Sequence, residues 1–534
     1  MKKPLLYPKL AWQGIRKNAE MYLPYLLMGI LMVGVSYIMN YLTRPALMGA
    51  LSMGGTTLMV LQMGKIVISV FSVIFLYYCN SFLIRRRMKE FGLYNILGMG
   101  KGNIARVMLW ETLLTALLVF AGGLLLGLSL SRLVEMALIN LLHADYTVPM
   151  ELFYPDGVTW VLLLFGGIYV LILLTNLWRM RLTNPVALLK SESVGEKPPK
   201  GNWFFALAGL VILLGAYYLA AASQSPLEAL MFFFIAVLMV IVATYLLFVS
   251  GSVTLCRMLR RNKRYYYQTR HFISVSAMAY RMKRNGAGMA TICILCTMVL
   301  VILTSTVCLN GGTDSMVDAI CPQDVNLTLG LEARDGEENG ERLDAMQQMA
   351  LHFDLDSEAD TDTQEKLVKA LRSRSWEAIK STGKEFYGMS SLNVDTRALC
   401  RRDYLSFFGG LFFLGMVLGP LFSIAAVLIM YYKQICEGYE DAERFAVMRK
   451  VGLTDAEIRR SVNSQVLTVF FAPLLMAGLH MLFAMPMIRL ILGAFGLHND
   501  SLFYGIGIGC YVVFAVIYAL MYLLTSRRYY RIVR

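Results

Sequence analysis

The chain has 534 residues, of which 57% are hydrophobic and only 16% are charged. This composition excludes a soluble multidomain enzyme and favours helices that face lipid. The formal net charge of +14 would suggest a nucleic-acid partner in a soluble protein, but here the basic residues lie in short segments beside apolar stretches, where anionic lipid headgroups attract them.

Ten stretches of the chain are long and apolar enough to cross a bilayer, because each has the roughly 20 residues that a hydrocarbon core of about 30 Å requires. They are residues 21–42, 63–84, 107–130, 158–178, 203–222, 229–250, 287–309, 405–432, 466–487 and 503–525. The predicted fold class is an all-α polytopic membrane protein. The first stretch has no small-residue cleavage site, so we expect a retained helix rather than a signal peptide.

Basic residues collect on one side of these ten stretches. If the N-terminus is cytoplasmic, the segments predicted to lie inside contain 35 of the 50 Lys and Arg residues. The short loops on the other face keep Arg44, Arg132 and Arg489. This asymmetry predicts that both termini are cytoplasmic, which an even number of spans also requires.

The spans and loops divide the chain into five predicted parts. An N-terminal amphipathic segment and the first span come first, then spans two to four, spans five to seven, an external domain, and spans eight to ten. These parts are residues 1–62, 63–190, 191–309, 310–403 and 404–534.

The external domain is acidic on an otherwise basic protein, with 11 Lys and Arg against 19 Asp and Glu in residues 310–403. Residues 324–329 alternate like a strand, and helical patterns follow at 341–353 and 364–382. We therefore predict a small α+β extracellular domain.

The acidic segment between those two predicted helices has the carboxylate spacing of a helix-loop-helix calcium site, at positions 1, 3, 5, 7, 9 and 12. Ala359 stands where such a loop needs glycine, so the pattern favours a solvated acidic loop over a calcium site. The six candidate ligands are Asp354, Asp356, Glu358, Asp360, Asp362 and Glu365. We expect no other metal site.

Two of the nine cysteines, Cys321 and Cys400, bracket the external domain. They could close it with a disulfide in an oxidising compartment, or remain two free thiols. Cys293 and Cys296 form a C-x-x-C pattern, but in an apolar span without a second pair they are small apolar fillers rather than ligands.

The two predicted cytoplasmic segments after spans two and eight echo each other. Phe91 to Gly98 and Phe445 to Gly452 have the same length, and Ile104 and Ile458 each follow the glycine by six residues. Each block is predicted to be a short amphipathic helix, a glycine stop, and a second helix that feeds the next span.

No G-x-x-x-x-G-K-[ST] loop occurs in the sequence, so ATP chemistry would have to come from a separate chain. We expect no catalysis and no cofactor in this chain, with ATP and Mg bound by a partner ATPase. Exposed apolar side chains at helical spacing could dock each block into a groove of that ATPase, although amphipathic helices resting on the membrane are the alternative. The predicted ATPase-coupling residues are Lys89, Glu90, Phe91, Tyr94, Leu97 and Gly98 in the first block, and Glu437, Tyr439, Glu440, Asp441, Phe445, Met448, Val451 and Gly452 in the second.

The charged helix ending at Leu97 and Gly98, its echo, and the run Asn184 to Leu189 together resemble the FtsX-like permease module of ABC transporters. The run Tyr431 to Asp441 is more specific. Together with Arg444, Phe445, Val451, Gly452, Pro473, Leu474 and His480, it resembles the Bce-type permeases of Gram-positive bacteria.

This resemblance implies ten spans with an external domain between the seventh and eighth, and FtsX-like modules at 63–190 and 404–534. It implies a permease in the bacterial cell membrane that pairs with a dimeric ABC ATPase and protects the lipid-linked cell-wall cycle from peptide antibiotics such as bacitracin. It also implies a sensor histidine kinase as a second partner. The external domain here is shorter than is common in the family.

Ionisable residues inside spans are costly and single out particular positions. Lys65 either snorkels to the outer headgroups or joins Arg44 and Arg132 in a basic outer pocket for a lipid pyrophosphate. Glu111 is expected to pair with the Arg85 to Arg87 cluster and to fix span three onto span two. His480 is expected to be a hydrogen-bonded core histidine.

Two other functions fit the sequence. One is a lipid or lipoprotein exporter permease of the same superfamily. The other is a sensory scaffold that gates a kinase without net transport, and which would still signal when the partner ATPase is catalytically dead. A lipid-modifying enzyme would need polar clusters that the outer loops do not show at a recognisable spacing.

Overall fold

A computed structural model gives the fold. It describes residues 6–50, 54–142, 153–182, 202–266, 269–320, 323–334, 344–353, 361–381, 389–450, 455–497 and 499–533. The first helices are α1 (Leu6–Lys17), α2 (Ala19–Leu42), α3 (Pro45–Ala50), α4 (Gly54–Ile96), α5 (Lys101–Leu141), α6 (Pro155–Leu182), α7 (Trp203–Ala222) and α8 (Pro226–Leu246). A π-helical turn at Leu247–Gly251 leads into α9 (Ser252–Arg261), α10 (Lys263–Tyr266), α11 (Thr269–Gly311) and α12 (Thr313–Ile320). The remaining helices are α13 (Thr361–Ser381), α14 (Arg397–Lys450), α15 (Asp455–Gly493) and α16 (Asp500–Val533), and the strands are β1 (Val325–Arg334), β2 (Asp344–Phe353) and β3 (Met389–Thr396).

The ten predicted spans are confirmed. Ten stretches within the described residues are long and apolar enough to cross a membrane. They lie in α2, α4, α5, α6, α7, α8 with α9, α11, α14, α15 and α16. The predicted cytoplasmic location of the termini stays a prediction.

The spans pack into two groups joined by α14. In the first group α2 packs against α4, α5 and α6, and in the second α11 packs against α14, α15 and α16. Helix α14 also contacts α2 and α4, where the rings of Phe71 and Phe422 lie 4.3 Å apart. Helices α7 and α8 form a pair that rests on α15. One apolar core therefore runs through both groups.

Small residues allow α2 and α5 to approach closely. A Cβ atom at Gly127 would lie 2.8 Å from Cδ1 of Tyr37 and 3.2 Å from the carbonyl oxygen of Gly34. Gly123, one turn earlier on α5, faces Val33 in the same way. In lipid, where no hydrophobic effect draws helices together, such close backbone packing is a main source of helix association.

Residues between spans seven and eight form an antiparallel sheet of three strands in the order β2-β1-β3. The predicted helix at 341–353 is wrong, because residues 344–353 form β2, which pairs along its whole length with β1. The second predicted helix is confirmed as α13. The placement of this region outside the cell stays a prediction.

Cys400 is disulfide-bonded, whereas Cys321 lies outside the described residues. Most of the candidate calcium loop, Asp354 to Asp360, also lies outside them, and Asp362 and Glu365 begin α13. Within the part of the chain that the structure describes, no group of His, Cys, Asp or Glu is arranged to hold a metal ion.

Helix α14 links the sheet to the opposite end of the molecule. It starts at Arg397, directly after β3, and continues without interruption to Lys450. At a rise of about 1.5 Å per residue, its 54 residues extend for roughly 80 Å. The sheet is therefore attached to span eight without a loop, and Arg401 also forms an ion pair with Asp314 of α12 at 3.0 Å.

Candidate functional site

The first predicted coupling block is the end of a transmembrane helix. Helix α4 passes from span two to Ile96 as one helix, so the expected separate amphipathic helix is wrong. Its glycine stop has the predicted form: Gly98 has a φ of +92°, its N–H donates to Asn95 O at 3.1 Å, and the N–H of Met99 donates to Tyr94 O at 2.9 Å. These bonds form a Schellman motif, which ends a helix with a left-handed glycine.

Phe91 is not an exposed docking residue as predicted, because only 3% of it is accessible. It belongs to an apolar cluster with Ala11 of α1, Ile104 and Val107 of α5, and Met180 of α6. Tyr94 packs against the same cluster. The predicted face of Phe91, Tyr94 and Leu97 therefore turns inward at its first two members, since α1 and the start of α5 cover it.

The exposed apolar side chains at the end of α4 form a different face from the predicted one. Leu93 is 51% exposed, Ile96 is 56% exposed and Leu97 is 76% exposed. Their spacing of i, i+3 and i+4 places all three on one face of the end of α4. Of these three, Leu97 is a predicted coupling residue, whereas Leu93 and Ile96 were not predicted, although their helical spacing is readable from the sequence. We call these three residues the α4 tip.

A buried ion-pair network holds the α4 tip to span three. Arg87 is 2% exposed and donates from Nε to Glu111 Oε1 and from Nη2 to Glu111 Oε2, both at 2.9 Å. The third guanidinium nitrogen pairs with Glu90. The predicted pairing of Glu111 with the basic cluster is thus confirmed. Burial lowers the pKa of Arg87 and the Glu90 carboxylate raises it, while an arginine remains charged throughout.

Helix α1 is tied into the same network. Asn18 donates from Nδ2 to Glu90 Oε1 at 2.8 Å, and Gly14 lies directly against the Arg87 guanidinium, so that a Cβ there would be 3.0 Å from Arg87 Cζ. Glu90, predicted as a coupling residue, therefore serves this network. The side chain of Lys89 lies outside the described residues.

The structure describes the backbone of the second predicted block up to Lys450. Helix α14 reaches Lys450, and α15 starts at Asp455. Val451 and Gly452 lie outside the described residues, as does the run Asn184 to Leu189. The side chains of the other predicted members also lie outside them, namely Glu437, Tyr439, Glu440, Asp441, Phe445 and Met448.

Two of the three predicted outer cations, Arg44 and Arg132, come together around Glu135, a carboxylate that was not among the predicted site residues. Glu135 is completely buried and accepts from Arg44 at 2.5 Å, from Arg132 at 2.8 Å and from Tyr41 at 3.0 Å. The Arg44 guanidinium also lies 4.1 Å from the centre of the Tyr41 ring. Two positive charges thus face one negative charge, so Glu135 offsets one of them and a net charge of +1 remains. A lipid-pyrophosphate pocket here stays a prediction.

Lys65, the third predicted cation, has its own partners. Its Nζ donates to Asn40 Oδ1 at 2.9 Å and lies 4.5 Å from the centre of the Trp160 ring. The described contacts of Lys65 are therefore to α2 and α6. Its reach to the outer headgroups and its place in a basic pocket with Arg44 and Arg132 both stay predictions.

His480 is a hydrogen-bonded core histidine, as predicted. Tyr217 of α7 lies 2.7 Å from Nδ1, and Thr244 of α8 lies 3.0 Å from Nε2. Because Thr244 donates its own hydroxyl proton to Val240 O at 2.6 Å, it accepts from Nε2–H, and Tyr217 donates to Nδ1. The imidazole thus joins spans five, six and nine with both ring nitrogens satisfied.

Comparison with known proteins shows which proteins this chain is similar to. The family described as FtsX-like permease C-terminal matches residues 63–185. The chain is 26% identical over 328 residues to the bacitracin export permease protein BceB of Halalkalibacterium halodurans. The matched region covers 59% of this chain and 50% of that protein. It is 28% identical over 222 residues to the protein of the same name in Bacillus subtilis, covering 40% of this chain and 34% of that protein.

The similarity extends along most of the chain in another relative. The ABC transporter permease protein YxdM of Bacillus subtilis is 21% identical over 595 residues, which cover 90% of this chain and 93% of that protein. The matches to the two BceB proteins, by contrast, span half or less of those relatives.

Proposed function

We propose that this chain is the membrane subunit through which a partner ATPase drives the release of antimicrobial peptides from lipid-linked cell-wall intermediates. The comparisons support a Bce-type ABC permease of the FtsX-like superfamily. ATP hydrolysis takes place in the partner, and this chain converts the movement of that partner into movement of its external domain. The proposal includes a sensor histidine kinase as a second membrane partner.

The observation that carries the proposal is the exposure of the α4 tip on a rigid support. Leu93, Ile96 and Leu97 are apolar, exposed and on one helix face, which is the arrangement of a helix that docks into a groove. The Schellman turn at Gly98 and the Arg87 network behind the tip fix its orientation. A push on this tip is therefore transmitted to spans two and three rather than absorbed by a loop.

Helix α14 offers the matching route to the external domain. Its N-terminal end continues from β3, and its C-terminal end carries the echo of the first block. In the proposed mechanism, closure of the ATPase moves both blocks, and α14 carries that movement to the sheet. A peptide bound there would be pulled from its lipid target rather than conducted through a pore.

The test is disruption of the α4 tip without disturbing the fold. Leu97→Asp, alone and with Leu93→Asp, removes apolar contacts that contribute about 1.5–3 kcal/mol per buried leucine, so the affinity for a co-expressed ABC ATPase should fall roughly tenfold. Bacitracin protection should be lost, while the purified permease keeps the wild-type Tm. Met258→Asp is the matched control, because Met258 on α9 is 67% exposed and also lies in a segment predicted to be cytoplasmic.

Unchanged ATPase binding and full protection in the double variant would reject the coupling role of the tip. Loss of ATPase binding without loss of kinase signalling would instead favour the sensory scaffold. Loss of lipid or lipoprotein export in the double variant, with bacitracin protection unchanged, would favour the exporter.

A further inference from the structure

A cavity of about 390 Å³ lies among spans five, six, seven and nine, within the volume that small-molecule sites occupy. Its wall is formed by α7, α8, α11 and α15 and is almost entirely apolar. Representative lining residues are Ala236, Val240, Met298, Ile302, Phe483 and Ala484. We propose that this cavity is a binding site for one acyl chain of a bilayer phospholipid, held between span six and span seven.

The first argument is that two apolar helix faces point at each other across the cavity without closing it. On α11 the lining residues Ile294, Met298 and Ile302 follow one helical stripe, and all three remain partly exposed. The facing stripe of α8 includes Ala236 and Val240. Well-packed helices leave few voids larger than a water molecule, so faces held apart in this way need a filler.

The second argument is the chemistry of the wall. Its polar side chains already have hydrogen-bond partners, since Tyr217 donates to His480, His480 donates to Thr244, and Thr297 donates to Cys293 O at 2.9 Å. Tyr217 is further fixed by stacking on Phe483 with ring centres 4.0 Å apart. A ligand here therefore finds apolar contacts rather than free donors or acceptors, and water is disfavoured.

The third argument is access. Val237 lines the cavity and is 39% exposed, so the cavity reaches the outer, lipid-facing surface of α8. Neighbouring side chains on that surface are strongly exposed, with Leu238 at 63% and Phe234 at 68%. Because these residues belong to a span, the medium at the opening is bilayer hydrocarbon. Phospholipid acyl chains are its main component, and one can enter without leaving an apolar medium.

Photolabelling of the full-length permease in phospholipid nanodiscs tests the proposal. The probe is a phosphatidylcholine with a diazirine in the middle of one acyl chain, and labelled residues are identified by mass spectrometry. We expect labels on the α11 stripe at Met298 and Ile302 in addition to the outer surface. Ala236→Phe, which fills the cavity, should remove the α11 labels and leave those at Phe234 and Leu238.

Leu238→Phe adds the same ring to the outward face of the same helix and should leave the α11 labels in place. Absence of α11 labels in the wild type would overturn the proposal in favour of a dry cavity. Persistence of the α11 labels in Ala236→Phe, or preferential labelling by a diazirine-bearing polyprenyl phosphate, would overturn it as well.

Discussion

Arg87 meets Glu111 through two parallel hydrogen bonds, Nε to Oε1 and Nη2 to Oε2, each 2.9 Å long. The two residues are 24 positions apart, on α4 and α5, and both are buried. A bidentate pair of this kind fixes orientation as well as distance. Arg87 also pairs with Glu90, and Glu90 accepts from Asn18, so this network links α4 and α5 to the junction between α1 and α2 at the base of the α4 tip.

Breaking this pair from one side should destabilise the protein strongly. Arg87→Met leaves the Glu111 carboxylate buried without its partner, which typically costs about 3–5 kcal/mol. Glu111→Gln should cost less, because Arg87 keeps its ion pair with Glu90. The double variant Arg87→Met with Glu111→Leu should recover much of the loss, because it removes both charges. The measurement is the Tm of purified permease in detergent, with exposed Arg16→Gln as control. Single variants as stable as the control would contradict the structural role.

Gly14 should be required because its Cα faces the Arg87 guanidinium. In Gly14→Ala the new Cβ would lie 3.0 Å from Cζ and 3.1 Å from Nη1 of Arg87, so α1 must move, at a cost of about 1–3 kcal/mol. Gly102→Ala at the start of α5 is the control, since no other atom lies within 4 Å of its added Cβ. There the better helix propensity of alanine should stabilise by up to about 1 kcal/mol. Opposite shifts in Tm are expected, and equal shifts would argue against the close contact.

The turn at Gly98 should depend on the absence of a side chain. With a φ of +92°, an L-residue there is strained by about 1–2 kcal/mol, so Gly98→Ala should loosen the end of α4. Hydrogen exchange of the Met99 amide, which donates to Tyr94 O, should become faster. Gly100→Ala is the control, because Gly100 has an ordinary extended backbone with a φ of −63°. Unchanged exchange in Gly98→Ala would show that the turn does not need the glycine.

The features that sequence predicted well are those set by local composition. Hydropathy and length located all ten spans, and the charge of Glu111 beside the Arg85 to Arg87 cluster indicated a pairing that the structure contains. The glycine stop at Gly98 was also local, because a left-handed turn favours glycine regardless of the rest of the fold.

The features that sequence mispredicted are decided by distant contacts. Phe91 has the spacing of a docking residue, yet α1, about 80 positions earlier, covers it. Residues 344–353 contain Ala, Met, Gln and Leu, which favour helix, but pairing with β1 overrides that propensity. Glu135 was missed because it lies beyond the predicted end of span three, although its position three residues after Arg132 signalled an ion pair.

Replacing Glu135 should destabilise the protein far more than replacing its partly exposed partner Arg132. It is fully buried and accepts three hydrogen bonds, and two nitrogens of Arg44, Nε and Nη1, have no further hydrogen-bond partner among the described residues. Glu135→Gln therefore leaves Arg44 as a buried charge without a counter-ion, and should cost about 3–5 kcal/mol. Arg132 is 30% exposed, so Arg132→Gln should cost no more than about 1 kcal/mol. Arg489→Gln, which breaks the exposed ion pair with Asp500, sets the scale for a surface pair in the same Tm measurement. If Glu135→Gln shifts the Tm no more than Arg489→Gln, the buried network does not hold span one to span three.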